Sequence, residues 1–290
     1  MVTNSSSRNR AVDFVALTKP RIVVMVMLSA AAGYWLAGPA AHQMMTLFHL
    51  LLGTALVASG TSALNQVNER DADALMVRTR GRPVPAGRLS VSAASTFAWL
   101  MGVGGVVYIA AFVNAITAGL AAATLVSYVF LYTPLKKRTS ISTLIGAVPG
   151  ALPIVGGWTA ARGALSGEAW VLFWILFLWQ LPHFLALAWI YREDYARAGF
   201  KMLSVGDPDG RMTFWYASLY AAALLPVSLA PTMVGLAGAG YFVGAMALSG
   251  WFLVASLMAL RHCTPKNARR VFKFSLAYLP ALLILMGSGL

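Results

Sequence analysis

Long apolar runs with almost no charge recur along the whole of this 290-residue chain, which is 59% hydrophobic and only 11% charged. A helix needs about 20 apolar residues to cross the hydrocarbon layer of a bilayer. Nine runs of about that length can be read from the sequence, so we expect an all-α membrane protein with nine transmembrane helices in one bundle. The predicted spans are residues 21–40, 44–64, 90–112, 114–134, 141–161, 167–190, 212–231, 233–260 and 271–290.

The segments between these runs are short, and none is long enough to form a separate soluble domain. We therefore expect residues 1–290 to form a single intramembrane domain. Residues 1–20 are expected to be a cytoplasmic tail, and the polar connections at about 65–90 and 191–211 are expected to carry the chemistry.

Basic residues lie almost entirely in alternate connections. Of the 22 Lys and Arg residues, only Arg162 falls on the side opposite to the N-terminal tail. Because short cytoplasmic loops concentrate Lys and Arg, we expect a cytoplasmic N-terminus, an outward C-terminus and a charged cytoplasmic face. The same rule accounts for the net charge of +13, so we expect no nucleic-acid partner.

Acidic residues form two clusters on this charged face. In the first, Asn65, Glu69 and Asp73 are spaced at four-residue intervals, which places three oxygen-bearing side chains along one stripe of a helix. Like charges at this spacing repel, so a cation between them would be stabilising. Oxygen ligands of this kind suit Mg²⁺, which usually binds one or two carboxylates together with water and substrate phosphate.

Three arginines, Arg78, Arg80 and Arg82, follow this stripe directly. Guanidinium groups bind phosphate through two parallel hydrogen bonds. Carboxylates followed by arginines therefore indicate a magnesium diphosphate site. A solvated amphipathic loop with internal salt bridges explains the same pattern, and the spacing alone does not decide between the two.

The second cluster, YREDYARAGFKML, begins at Tyr191 where the sixth span ends. Facing the first cluster, it would supply a second cation site or the other wall of a phosphate clamp. Taken alone, it is also typical of interfacial anchoring by Tyr and Arg. Within the same span lies His183, next to Pro182. A histidine inside a membrane is a candidate functional residue, but an imidazole can also bond a carbonyl that the proline leaves free.

Four segments of the chain closely resemble one known family. They are LTKPRI, NQVNERDADALMVRTRGRPVP, YTPLKKRTSISTLIGAVPGALPIVGGW and WQLPHFLALAWIYREDYARAGFKML. The resemblance is to the UbiA-type intramembrane prenyltransferases, which are nine-helix bundles, and it covers nearly the whole chain. The acidic motif alone would indicate only this superfamily. The run from WQLPHF to YREDY is similar to its heme-farnesylating branch, the protoheme IX farnesyltransferases or heme O synthases.

This resemblance implies transfer of a farnesyl group from farnesyl diphosphate to the 2-vinyl group of heme B, with addition of water, giving heme O and diphosphate. It implies Mg²⁺ as the cofactor. The catalytic residues that it implies are Asn65, Glu69, Asp73 and Asp194. The implied metal ligands are Asn65, Glu69, Asp73, Glu193 and Asp194, the diphosphate-binding residues are Arg78, Arg82, Lys136 and Arg192, and the heme-binding residue is His183.

The resemblance further implies an integral protein of a bacterial cytoplasmic (inner) membrane, with its active site on the cytoplasmic side. A heme A synthase or a terminal oxidase assembly would be the expected partner. Two alternatives remain. A UbiA-type prenyltransferase for a quinone or chlorophyll precursor is disfavoured by the segment around His183, and a transporter is disfavoured because no half-to-half repeat is evident in the sequence.

Overall fold

The computed structural model describes residues 10–38 and 43–289, and these ranges contain helices and turns but no strand. The first nine residues of the predicted tail, and the last residues of the spans predicted at 21–40 and 271–290, lie outside the described residues. The helices are α1 (Arg10–Thr18), α2 (Pro20–Leu36), α3 (Met44–Asn68), α4 (Arg70–Leu75), α5 (Val91–Phe112), α6 (Ala115–Val126), α7 (Thr133–Leu135), α8 (Ser142–Arg162), α9 (Gly167–Ile190), α10 (Arg192–Arg197), α11 (Arg211–Met233), α12 (Ala239–Arg261) and α13 (Pro265–Gly287).

The predicted all-α membrane architecture is confirmed in this structure, with eight or nine candidate spans in the described residues against the nine predicted. Eight helical segments of the described chain are long and apolar enough to cross a bilayer, and there are nine if the bent pair of α1 and α2 is counted as one span. One of the eight, Ala115–Leu135, joins α6 to α7 through a π-helical turn at Ser127–Tyr132. The architecture is therefore an all-α bundle. The side of the membrane on which each terminus lies stays a prediction from the distribution of charge.

The N-terminal segment differs from the polar tail expected at residues 1–20, because Arg10–Thr18 forms the helix α1. Asp13 and Leu17, one helical turn apart, are both buried. Arg88 Nε donates to Asp13 Oδ1 over 2.9 Å, and Gln66 Nε2 donates to the Leu17 carbonyl over 2.6 Å. These contacts hold α1 against the end of α3 and against the connection that follows α4.

A sharp bend of 43° separates α1 from α2. Lys19 lies at the bend with a φ of 55°, and it is the one non-glycine residue with a positive φ among the described residues. Pro20 disfavours the α-helical conformation at the residue before it, so the helix breaks at Lys19. The bend turns the Lys19 side chain toward α3, where Nζ contacts Asn65.

The helices α2 and α8 approach each other more closely than ordinary side chains would allow. A methyl group added at Gly33 would overlap the carbonyl oxygen of Ile154, and one added at Gly157 would overlap that of Ala30. Small residues permit such backbone contacts in membrane helices. Around this pair, α8 packs against α6 and α9, α9 packs against α11 and α13, and α12 packs between α11 and α13.

Two polar connections meet at one end of the bundle. Their contact is a small apolar cluster of Ala72 and Met76 from the first connection with Ala198, Phe200 and Met202 from the second. The Lys201 amide donates to the Lys136 carbonyl over 2.8 Å, which ties the connection after α7 to the same assembly. The segments predicted to carry the chemistry are therefore packed together on one face.

Candidate active site

The three oxygen-bearing side chains of the first acidic motif form one buried stripe. The helix α3 continues to Asn68, beyond the predicted end at 64, and α4 begins at Arg70. The Glu69 amide donates a hydrogen bond to the Asn65 carbonyl (3.0 Å), and the Asp73 amide donates one to the Glu69 carbonyl (2.7 Å). These hydrogen bonds keep the helical repeat across the junction of α3 and α4. Asn65, Glu69 and Asp73 are all buried, and Asp73 has no exposed surface.

Each member of the stripe is hydrogen-bonded to its own basic side chain. Lys19 Nζ donates to Asn65 Oδ1 over 3.0 Å, and Lys136 Nζ donates to Glu69 Oε1 over 2.7 Å. Arg82 Nη1 donates to Asp73 Oδ2 over 2.6 Å. These basic side chains come from three separate segments, and folding gathers them beside three oxygen ligands. Burial and the neighbouring charges of Arg82 and Lys136 lower the pKa of Lys19 to about 7, so of the three it holds its proton least tightly.

The predicted diphosphate ligands Lys136 and Arg82 thus lie beside the predicted metal ligands. Lys19 was not predicted as a site residue, because a basic residue at the edge of a membrane span is expected for orientation alone. Its position in the LTKPRI segment was the available signal. Burial opposes the positive charge of Lys136, but Glu69 and the neighbouring Tyr132 and Tyr128 outweigh it, so the pKa of Lys136 stands well above its ordinary value.

The π-helical turn places aromatic and hydroxyl groups next to these charges. A π-turn widens a helix and is frequent at functional sites. The ring of Tyr132 lies 4.4 Å from Lys136 Nζ and 4.8 Å from the ring of Tyr128. Thr133 Oγ1 donates to the Tyr128 carbonyl over 2.8 Å and accepts from Asn65 Nδ2 over 3.4 Å. No spacing pattern among these residues indicates this turn.

The donor atoms of the stripe fit a magnesium ion that also binds substrate. Asp73 Oδ1 is buried and has no hydrogen-bond partner in the described part of the chain, so one carboxylate oxygen is free to coordinate. Throughout residues 10–38 and 43–289, no group of three or more His, Cys, Asp or Glu side chains could hold a metal by itself. A cation here would complete its shell with water and phosphate oxygens, as Mg²⁺ commonly does.

Asp194, from the second cluster, faces the first cluster and holds the two connections together. Its carboxylate is buried, pairs with Arg197, and accepts from the Val77 amide over 3.4 Å. Burial alone would raise the pKa of this carboxyl, but Arg197 and the amides of Val77 and Arg78 outweigh it and lower the pKa below its ordinary value. The structure therefore brings Asp194 to the site, where its carboxylate is already bonded to Arg197 and to the Val77 amide.

The other predicted residues of this face occupy more peripheral positions. Glu193 is exposed. The guanidinium of Arg192 lies 4.4 Å from the Trp189 ring and donates to the Trp189 carbonyl over 3.0 Å. The guanidinium of Arg78 lies 5.0 Å from the ring of Tyr191, which adds a second bridge between the connections. Metal or phosphate binding by these residues stays a prediction.

His183 lies deeper in the bundle, seven residues before the end of α9 at Ile190, which corresponds to about 10 Å along a helix. Its Nδ1 is 2.8 Å from Ser275 Oγ on α13. The imidazole stacks on Trp179 at 5.5 Å and packs on Phe272 at 4.8 Å. Its hydrogen-bond partner within the described part of the chain is thus a hydroxyl group of another helix and not a carbonyl near Pro182.

Comparisons with known proteins agree with this architecture. The model of the UbiA prenyltransferase family matches residues 26–279. A protoheme IX farnesyltransferase of Solibacter usitatus is 47% identical over 283 residues, which cover 94% of this chain and 97% of the relative. Another, of Salinibacter ruber, is 46% identical over 274 residues, which cover 94% of this chain and 97% of that relative.

Solved structures share the fold at much lower identity. A structure of digeranylgeranylglyceryl phosphate synthase has a TM-score of 0.81 at 16% identity, covering 96% of this chain and 97% of the other. A UbiA homolog of Archaeoglobus fulgidus bound to DMAPP and Mg²⁺ has a TM-score of 0.64 at 14% identity, covering 94% and 99%. The family match and these relatives show that this integral membrane protein belongs to the UbiA prenyltransferase family, within its protoheme IX farnesyltransferase branch.

Proposed function

We propose that this protein transfers the farnesyl group of farnesyl diphosphate to the 2-vinyl group of heme B, with addition of water, giving heme O and diphosphate. The observation that carries the proposal is the buried stripe of Asn65, Glu69 and Asp73, in which one carboxylate oxygen has no partner among the described residues and three basic side chains lie alongside. Relatives that are 46–47% identical are named for this transfer.

The stripe and its cations suit the leaving diphosphate. Lys19, Arg82 and Lys136 would bind its oxygens, so that their positive charge offsets the negative charge that grows as the allylic C–O bond breaks. Asn65, Glu69 and Asp73 would hold Mg²⁺, which when bound neutralises part of the same negative charge. Asn65, Glu69 and Asp73 would be the catalytic group of the first connection, because the ion that they hold would contact the departing diphosphate.

The second connection forms the opposing wall in this proposal. Arg78 and Arg192 lie on the same face as the stripe and would reach the diphosphate after leaving their aromatic partners. Asp194 and Glu193 would supply oxygen ligands for a second magnesium ion. Asp194 is the better placed of the two acids, since it is buried at the junction of the connections while Glu193 is exposed.

The farnesyl cation needs an apolar, water-poor site, because water would otherwise capture it before the vinyl group does. The rings of Tyr128 and Tyr132 lie beside the cationic end of the site, and an aromatic face attracts a cation. The neighbouring transmembrane helices offer apolar surface for the isoprenoid chain. His183, deeper on α9, would bind heme B.

The cellular setting follows from the charge distribution. Basic residues concentrate on the face that carries the site, and the positive-inside rule places this face in the cytoplasm. The bacterial sources of the relatives support a place in a bacterial inner membrane, and we propose that residues 1–290 form one domain there. A heme A synthase or a terminal oxidase assembly would receive the product.

The test uses the purified full-length chain in lipid nanodiscs, supplied with heme B, farnesyl diphosphate and Mg²⁺. Conversion of heme B to heme O is followed by mass spectrometry, and removal of Mg²⁺ by chelation should stop it. Asp73→Asn keeps the side-chain volume and removes the charge, so heme O formation should fall about 100-fold or more, while heme titration still shows binding. Asp71→Asn is the control, because the Asp71 side chain is 79% exposed.

Each outcome bears on a separate part of the proposal. Absence of heme O from the unaltered protein would reject the acceptor assignment, and transfer to a quinone precursor would replace it. Full activity of Asp73→Asn would reject the metal assignment. Activity that survives chelation and is unchanged by added Mg²⁺ would reject the cofactor.

A further inference from the structure

The contact between α9 and α13 determines which ring nitrogen of His183 carries a proton. The hydroxyl of Ser275 lies 2.6 Å from the carbonyl oxygen of Phe272 and 2.8 Å from His183 Nδ1. A carbonyl oxygen only accepts hydrogen bonds, so the single hydroxyl proton is donated to Phe272. Ser275 Oγ must then accept the bond from His183, which requires the proton on Nδ1.

A neutral imidazole with its proton on Nδ1 has a lone pair on Nε2. Nε2 of His183 has no partner among the described residues, and the imidazole is only half-buried. Ser275 itself is fully buried, and its carbonyl accepts from Trp179 Nε1 over 2.7 Å. Both the hydroxyl and the backbone of Ser275 are therefore fixed against α9.

We infer that Ser275 is a positioning residue that presents Nε2 of His183 to the iron of heme B. Histidines that bind metals almost always donate their second ring N–H to a protein acceptor, which fixes the tautomer and the ring orientation. Here the acceptor is a serine hydroxyl whose own proton is engaged elsewhere. This inference rests on the proposed function, since it concerns how the heme substrate is held.

The experiment titrates heme B into the full-length protein in nanodiscs and records the resonance Raman spectrum of the ferrous complex. The unaltered protein should show an iron–histidine stretching band, and His183→Ala should lack it. Ser275→Ala should weaken or shift this band, because Nδ1–H loses its acceptor, and heme affinity should fall about 10–100-fold.

Ser256→Ala is the matched control. Ser256 is also fully buried, and its hydroxyl donates to the Phe252 carbonyl of its own helix over 2.9 Å. This variant loses the same kind of bond without involving His183, so its heme titration and Raman band should match those of the unaltered protein. The double variant Ser275→Ala, His183→Ala should bind heme as His183→Ala does, because Ser275 acts through the imidazole.

An iron–histidine band and an affinity that are unchanged in Ser275→Ala would overturn the inference, as would the absence of the band from the unaltered protein. If Ser275→Ala does not fold, Ser275→Thr takes its place. This variant keeps the hydroxyl, so retention of the band would support the inference and its loss would contradict it. Heme O formation is measured in parallel. Heme O without the band would refute this inference alone, whereas the band without heme O would refute the proposed function alone.

Discussion

The buried ion pair of Glu69 and Lys136 allows a quantitative prediction. The two atoms are 2.7 Å apart, and their side chains are 6% and 11% exposed. At an effective dielectric constant of about 20, their gross Coulomb attraction is about 6 kcal/mol. Removing one partner leaves the other charge buried and alone, so Lys136→Met should lower the free energy of unfolding by about 3–5 kcal/mol. Adding Glu69→Gln should recover most of this loss.

Thermal unfolding in detergent, followed by tryptophan fluorescence, measures this effect through the nine tryptophans of the chain. Mg²⁺ and farnesyl diphosphate are left out of the assay, so that their binding does not contribute. Lys137→Met is the control, because Lys137 is exposed. The reasoning fails if Lys136→Met and Lys137→Met unfold alike, or if the double variant is less stable than Lys136→Met.

The dependence of stability on pH is a second test of the ion pair of Glu69 and Lys136. The pKa of Lys136 is raised well above 10.5, so the folded protein binds this proton more tightly than the unfolded chain does. The contribution of the pair is therefore complete below about pH 10.5 and is lost as pH rises through the higher folded pKa. Between about pH 6 and 9 the stability difference between the unaltered protein and the double variant Lys136→Met, Glu69→Gln, which has neither ionisable group of the pair, should stay constant. A difference that shrinks within this range would contradict the assignment.

Two further predictions concern the loops and the helix packing. Asp194→Asn should speed hydrogen exchange at the Val77 amide. Because the pKa of Asp194 is lowered below 3.8, its stabilising contribution is present above that pH and is lost as pH falls through the folded pKa. Gly157→Ala should lower the free energy of unfolding by about 1–3 kcal/mol, because the added methyl group overlaps the Ala30 carbonyl. Thermal unfolding measures this change. Gly104→Ala, whose added methyl meets nothing within 4 Å, should be neutral or stabilising by about 1 kcal/mol.

The transmembrane helices could be predicted from the sequence because a long apolar run reports directly on the bilayer that it must cross. The helix α1 could not be predicted in this way. It has nine residues, too few to span a membrane, and it is held by Arg88 and Gln66 from distant parts of the chain. A local pattern does not contain such partners.

The candidate site shows the same division. Four-residue spacing placed Asn65, Glu69 and Asp73 on one helical stripe, and the structure has them so. Their basic partners were harder to predict from the sequence, because Lys19 is 46 residues from Asn65 and Lys136 is 67 residues from Glu69. Basic residues on one membrane face are expected for orientation alone, so counting them does not distinguish those that turn inward.

The π-helical turn at Ser127–Tyr132 has a consequence for how this protein can be altered. Such a turn closes hydrogen bonds one residue farther along the chain than an α-helix does. Each residue of a regular helix turns the chain by about 100°. Deleting one residue from Ser127–Tyr132 would restore a regular helix and leave Thr133 and Lys136 in place. If all six residues adopted an α-helix instead, Thr133 and Lys136 would swing by about that angle, away from Asn65 and Glu69. The register of this one helix therefore decides whether a lysine faces the site or the lipid.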